Sequence, residues 1–108
     1  MPYYMIQLSY TNEAMANLIQ TPHNRIEAVR AAFEELGVNI RDSYLAFGEY
    51  DVIAIVEAPG NVQAAAIGMA VVGGGGVRRY QTTPLMSWEE GVEAMQVAGG
   101  SGYQPPSS

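Results

Sequence analysis

With 108 residues, 48% of them hydrophobic, the chain fits one domain of ordinary size that can bury a core. Its five basic residues, all arginine, stand against eleven acidic ones, and the formal net charge of -6 makes nucleic acid a poor partner. Cysteine and lysine are absent from the sequence, which excludes disulfides, thiolate metal centres, cysteine nucleophiles and Schiff-base chemistry.

The first third of the chain predicts one strand followed by two helices. Apolar residues alternate over residues 3–10, as expected of a strand with one buried face. Thr11 is a suitable N-cap for a short helix that runs to about residue 20. Thr21 and Pro22 fit the N-cap and first residue of a second helix, which Gly37 closes.

The middle of the chain predicts two strands joined by a turn. Residues 38–47 form the first of these, with a bulge near Asp42 because the apolar alternation changes parity there. A turn at residues 48–50 leads to residues 52–56, which are all apolar. A run without alternation is typical of a strand buried on both faces, so this strand is expected at the centre of the sheet.

The last third predicts a helix, an edge strand, a short helix and a tail. Asn61 caps a helix to about residue 72, and residues 77–83 form a strand whose arginines suit a sheet edge. Ser87 starts a final helix, since a glutamate three residues later completes a capping box. The domain is expected to span residues 1–97, with a disordered glycine, serine and proline tail over residues 98–108.

The order β-α-β-β-α-β predicts an α+β, ferredoxin-like fold with a four-stranded antiparallel sheet and helices on one face. The third strand is apolar on both sides, so the face without helices needs a cover. A second copy packed face to face supplies it and gives a dimeric α-β barrel. The alternative is that Trp88 and the last helix fold back over their own sheet.

The stretch over residues 44–58, with Gly48, Tyr50 and Asp51 ahead of the third strand, resembles the signature of the GYD domain family. The first eleven residues, Thr21-Pro22, Gly37 and residues 76–78 also resemble that family's layout, so the similarity covers residues 1 to about 96. His23 and the glycine run at residues 73–76 depart from it. The resemblance implies a dimeric α-β barrel and no established reaction.

Three side chains are candidates for catalysis. Glu49 and Asp51 are two residues apart, so their carboxylates are placed to meet and shift a pKa for acid-base work. The plainer interpretation is that acidic residues in a turn accept backbone hydrogen bonds. His23 alone has an unperturbed pKa near neutrality, but no second histidine accompanies it, so no metal site is predicted.

Four further side chains are candidates for ligand binding. Arg79 has the fork of donors that carboxylates prefer, although arginine on an edge strand also serves solubility. Tyr3, Tyr44 and Tyr50 offer rings for stacking, against the alternative that they fill a core.

Three functional hypotheses follow from these residues. The first is a homo-oligomeric domain that binds a small molecule. The second is a cofactor-independent enzyme for a small substrate, aromatic ones included, with His23 or the Glu49 and Asp51 pair as base. The third is a structural component of an oligomer. No cofactor is predicted, the chain itself is the expected partner, and a cytoplasmic location without membrane contact is expected because neither a leader nor a spanning segment is visible.

Overall fold

The computed structural model describes residues 1–107 of the chain. Its elements follow in the order β1 (Tyr3–Tyr10), α1 (Asn12–Gln20), α2 (Arg25–Glu35), β2 (Asn39–Leu45), β3 (Val52–Glu57), α3 (Asn61–Gly73), β4 (Val77–Leu85) and α4 (Trp88–Gly99). This is the β-α-β-β-α-β order predicted above, with the two additional helices that were expected, α1 and α4.

The four strands form one antiparallel sheet in the order β2-β3-β1-β4. The apolar strand β3 is an inner strand and β4 is an edge, as the sequence predicts. The pairing of β2 with β3 shifts register between Ile40 and Asp42, which is the expected bulge. The prediction of an α+β, ferredoxin-like fold is therefore confirmed.

The hydrophobic core lies between the sheet and the helices α2 and α3. Successive strand residues point to opposite faces, so β1 sends Tyr4 and Ile6 into this core and β3 sends Ala54 and Val56. Helix α3 closes it with the buried Ile67. Burying each large apolar side chain contributes about 1.5–3 kcal/mol. The same alternation directs the intervening residues of β1 and β3 to the side that has no helix.

Helix α1 begins as predicted, because Thr11 Oγ1 accepts a hydrogen bond from the amide of Ala14 at 3.1 Å. Helix α2 begins later than Thr21 and Pro22 predict. Its N-cap is Asn24, whose Oδ1 accepts from the amide of Glu27 at 3.2 Å. An asparagine side chain caps at least as well as threonine, so the start of the helix follows the residue that satisfies its first amides.

Helix α3 differs from the prediction at its first turn. Its N-cap is Gly60, which has no side chain to cap the helix, and Asn61 is already helical. The Asn61 Oδ1 instead accepts a hydrogen bond from Tyr4 Oη at 2.8 Å. The Asn61 side chain therefore links α3 to β1. It gives the buried Tyr4 hydroxyl a hydrogen-bond partner, and the first amides of α3 have no side-chain cap.

Gly37 at the end of α2 adopts the left-handed conformation that was expected of it, with φ of 78°.

Helix α4 extends away from the rest of the chain. It begins with the predicted capping box of Ser87 and Glu90 and ends at Gly99, two residues past the predicted end of the domain. None of its residues is buried, and Trp88 is 81% exposed. The radius of gyration is 17.5 Å, against about 13 Å for a compact domain of this length. In this structure α4 therefore does not cover the bare side of the sheet.

The residues after α4 form no helix or strand up to residue 107. Ser108, the last residue of the predicted tail, lies outside the described residues, and disorder of the tail stays a prediction. None of the helices within residues 1–107 has the length and hydropathy that a bilayer-spanning segment requires.

Candidate functional site

The side of the sheet opposite α2 and α3, called the open face below, carries an apolar patch. The strand register places six large apolar side chains on it, namely Tyr3, Met5, Tyr44, Ile53, Ile55 and Leu85. Of these, Tyr44 is 66% exposed and the two isoleucines of β3 are only half-buried. Directly opposed residues of neighbouring strands lie about 5 Å apart, so these side chains form a connected patch.

The loop between β2 and β3 brings two predicted site residues to β4. Glu49 Oε1 lies 2.7 Å from Arg79 Nη1, and the Arg79 guanidinium lies 5.7 Å from the centre of the Tyr50 ring. Tyr50 Oη donates a hydrogen bond to Gln81 Oε1 at 2.8 Å. We call Glu49, Tyr50, Arg79 and Gln81 the rim cluster. It lies beside the open face, because the strand register directs Arg79 and Gln81 to the same side of the sheet as the residues of that face.

The buried Ser9 holds this loop in place, since its Oγ donates to the Glu49 carbonyl oxygen at 2.8 Å. Asp51 holds its other end: Oδ2 accepts from the amide of Tyr10 at 2.9 Å, and its own amide donates to the Leu8 carbonyl at 2.8 Å. Glu49 and Asp51 thus bond to different partners. The Asp51 contact is the backbone hydrogen bond that the plainer interpretation of turn carboxylates predicts.

His23 lies outside this region, in the exposed connection between α1 and α2. Its Nδ1 is 3.0 Å from the carbonyl oxygen of Thr21, two residues away in sequence. No group of three or more histidine, aspartate or glutamate residues within residues 1–107 is arranged to hold a metal ion.

The two remaining predicted ligand residues share the open face but not the cluster. Tyr3 is at the opposite end of β1, paired with Glu57 and Leu85, and Tyr44 is on the far edge strand β2. The four residues predicted to bind a ligand therefore lie on or beside one face, and the fold brings two of them, Tyr50 and Arg79, into a cation–π arrangement.

A second concavity, called the α3–β4 groove below, lies on the helix side of the sheet. Its volume is about 740 Å³, and its lining includes Tyr4, Ala65, Met69, Val72, Tyr80 and Pro84. A Cβ atom at Gly68 would lie 2.9 Å from Tyr80 Cε1, so the glycine allows α3 to approach the ring closely. The sequence analysis missed this groove. The available signal was Gly68, because a mid-helix glycine costs about 1 kcal/mol relative to alanine and implies a close packing contact.

Tyr80 carries a buried polar atom without a partner. Its Oη is inaccessible to solvent and has no hydrogen-bond partner among the described residues. Burial raises the pKa of Tyr80 above its ordinary value of 10.0. The neighbouring Thr82 side chain offsets part of that rise, but it does not form a hydrogen bond of normal geometry.

The buried Tyr80 phenol is expected to make the folded chain less stable at alkaline pH. Because its pKa is higher in the folded chain than in the unfolded chain, the free energy of unfolding is unaffected below the ordinary value of 10.0 and falls as the pH rises through the folded value. Tyr10 adds to this fall, since burial raises its pKa as well. Urea unfolding at a series of pH values measures how steeply the free energy of unfolding falls with pH. Tyr80→Phe is expected to make this slope less steep, whereas Tyr103→Phe, at an exposed position, should leave the slope unchanged. Equal slopes in both variants would contradict the assignment.

The fold and these surfaces define a class of small α+β domain in which the helices cover one side of the sheet and leave the other open. The sequence model of the GYD domain family matches residues 4–95. The chain therefore belongs to the GYD domain family, and the resemblance seen in the sequence is confirmed.

One solved structure, described as a crystal structure of FFRP-DM1, is similar to this chain with a TM-score of 0.50 and 18% sequence identity. The similarity covers 80% of this chain and 100% of that chain. At this identity the likeness supports the fold and carries no argument about activity. A search of proteins with curated descriptions found no match to this sequence.

Proposed function

We propose that the protein is a homo-oligomeric domain that binds a small molecule on the open face, next to the rim cluster. The observation that supports this most strongly is the apolar patch of the open face, which neither α2, α3 nor α4 covers. A connected patch of this kind on a folded chain usually marks an interaction surface.

Self-association follows from the chemistry of that patch. Met5, Ile53 and Ile55 lie in its middle, where the register pairs Met5 with Ile55 and Gln7 with Ile53. Two copies that pack these sheets against each other bury the same surface twice about a two-fold axis. At about 25 cal/mol for each square ångström of apolar surface buried, the isoleucines of both copies supply a substantial part of the association free energy.

The rim cluster suggests the chemistry of the ligand. The Arg79 guanidinium lies over the Tyr50 ring beside the apolar patch, and only Nη1 of Arg79 is engaged by Glu49. An arginine has five donors in a planar fork, so others remain for an acceptor on a ligand. An aromatic molecule that bears a carboxylate matches both features, with its ring over the apolar residues and its charge near Arg79.

Thermal unfolding in the presence of a panel of aromatic acids, aliphatic acids and neutral aromatic compounds tests this proposal. A ligand at a hundred times its dissociation constant stabilises the folded chain by about 2.7 kcal/mol, which shifts the unfolding midpoint by roughly 10 °C or more. Aromatic acids are expected to give the largest shifts.

Arg79→Gln is expected to remove most of the shift. Arg25→Gln, which removes an equal charge at the start of α2, should leave it unchanged. The proposal fails if no compound in the panel stabilises the chain, or if both variants respond as the parent does.

A structural component of an oligomer is the second candidate, and one observation favours it. Arg79 and Glu49 already neutralise each other at 2.7 Å, so a charged ligand has to compete with an internal ion pair. This candidate predicts self-association without stabilisation by any ligand. The enzyme hypothesis receives less support, because His23, Glu49 and Asp51 bond to separate partners within residues 1–107.

A further inference from the structure

We infer that α4 of one copy docks in the α3–β4 groove of a second copy. This contact is distinct from the open face, which lies on the other side of the sheet. It assigns an occupant to the groove and a partner to α4, the two apolar surfaces that the open-face interface leaves unused.

The groove suits an apolar helix. Its α3 wall contains no charged residue from Asn61 to Gly73, and Met69 and Val72 are 73% and 52% exposed in the single chain. One side of the groove is free of neighbouring strands, because β4 is an edge strand of the sheet that the described residues form. Helix α3 has 13 residues and α4 has 12, so both extend for about 18–20 Å at 1.5 Å per residue.

Helix α4 has the matching surface. Trp88, Val92 and Met95 are spaced by four and three residues and therefore share one side of the helix, where all three are exposed. A helix of 12 residues is only marginally stable in water by itself, so an amphipathic one depends on packing of its apolar side. No such packing exists within residues 1–107, since α4 has no buried residue.

The charges of the two surfaces are complementary. Helix α4 carries Glu89, Glu90 and Glu93 and no basic residue. Arg78 lies on β4 two residues before the groove residue Tyr80, and its Nε donates to the carbonyl oxygen of Tyr10 at 3.2 Å. Among residues 1–107, no acidic group lies within ion-pair distance of Arg78. Such exposed charges add little affinity, but they orient one surface on another.

A second copy is the occupant, and not the chain's own α4, because the connection is short. Only Met86 and Ser87 separate β4 from α4. Ser87 is fixed by the capping box, in which its Oγ accepts from the Glu90 amide at 3.1 Å and its own amide donates to Glu90 Oε1 at 3.2 Å. A connection of two residues leaves little chain to turn α4 back onto its own groove, and none of the α4 residues is buried in this structure.

Cysteine cross-linking tests the inference directly, because the sequence contains no cysteine. The double variant Met69→Cys/Val92→Cys places one thiol in the groove and one on the apolar side of α4, both at exposed positions. Mild oxidation is expected to join two chains covalently, as seen on a denaturing gel without reductant. In the matched control Met69→Cys/Glu93→Cys, the second thiol is rotated by about 100° around α4 from position 92, outside the apolar side, and much less cross-linked product is expected.

Three results would overturn the inference: a disulfide within one chain, equal cross-linking in the control, or equal cross-linking by Met69→Cys alone, which would indicate contact between two α3 helices.

Charge reversal provides an independent measurement. Arg78→Glu in the cysteine background is expected to weaken association by about fivefold, since it replaces a modest attraction with a repulsion. Arg25→Glu makes the same change in net charge on α2 and should have no effect. Equal effects of the two reversals would also overturn it.

Discussion

Replacing Ile55 with glutamate is expected to convert the oligomer into single chains. Ile55 lies in the middle of the open face, opposite Met5 on β1 and Asp42 on β2. In an assembly with this face covered, the new carboxylate would be buried without a partner, which costs several kcal/mol. Association should weaken by about a hundredfold or more, because each 1.4 kcal/mol corresponds to a factor of ten.

Sedimentation velocity over a range of protein concentrations measures this change. Ile19→Glu is the matched control, since it introduces the same side chain on α1 at a position that is 71% exposed. The control should associate as the parent does, and circular dichroism should show that both variants are folded. A parent that sediments as a single chain at micromolar concentration, or an Ile55→Glu variant that associates normally, would remove the basis for the proposed function.

Removing the hydroxyl of Tyr80 is expected to stabilise the fold, whereas removing that of Tyr4 should destabilise it. Tyr80 Oη is buried without a hydrogen-bond partner among the described residues, and burying such a group costs about 1–3 kcal/mol. Tyr80→Phe should therefore raise the free energy of unfolding by about 1 kcal/mol. Tyr4, which is 4% exposed, donates to Asn61 Oδ1 at 2.8 Å, so Tyr4→Phe should lower it by about 1 kcal/mol.

Urea unfolding of the two variants at neutral pH and equal chain concentration provides the comparison. The substitutions remove the same atom from the same residue type, and both sites line the groove, so the opposite signs isolate the effect of the hydrogen bond. A decrease of similar size in both variants would show that Tyr80 Oη has a partner in solution. An α4 docked from a second copy also covers this site, so measurement at several concentrations separates folding from association.

Sequence patterns predicted the surfaces of this molecule better than its contacts. The uninterrupted apolar run of β3 gave its inner position, and the change of parity near Asp42 gave the bulge. Both features follow from a period of two residues, which is visible in a single strand. The caps at Thr11 and Ser87 were predictable for a similar reason, because each depends on residues within one turn of helix.

The contacts of the candidate site required the fold. Glu49 and Arg79 are thirty residues apart, and nothing near either residue in the sequence indicates the ion pair between them. Their contact depends on the path of the β2–β3 loop, which crosses β1 because Ser9 and the Tyr10 amide hold it there. The same applies to Asn61, whose local pattern predicts a cap but whose side chain bonds to Tyr4, 57 residues away.

The sequence by itself determined the class of fold, the family and the existence of an apolar face without a helix, because periodicity, helix capping and short motifs are local properties of a chain. Only the tertiary structure decided which carboxylate meets which arginine, where the groove lies and that α4 leaves its own sheet uncovered. These features depend on strand register and on the paths of loops, which bring together residues whose separation along the chain carries no information about their distance in space.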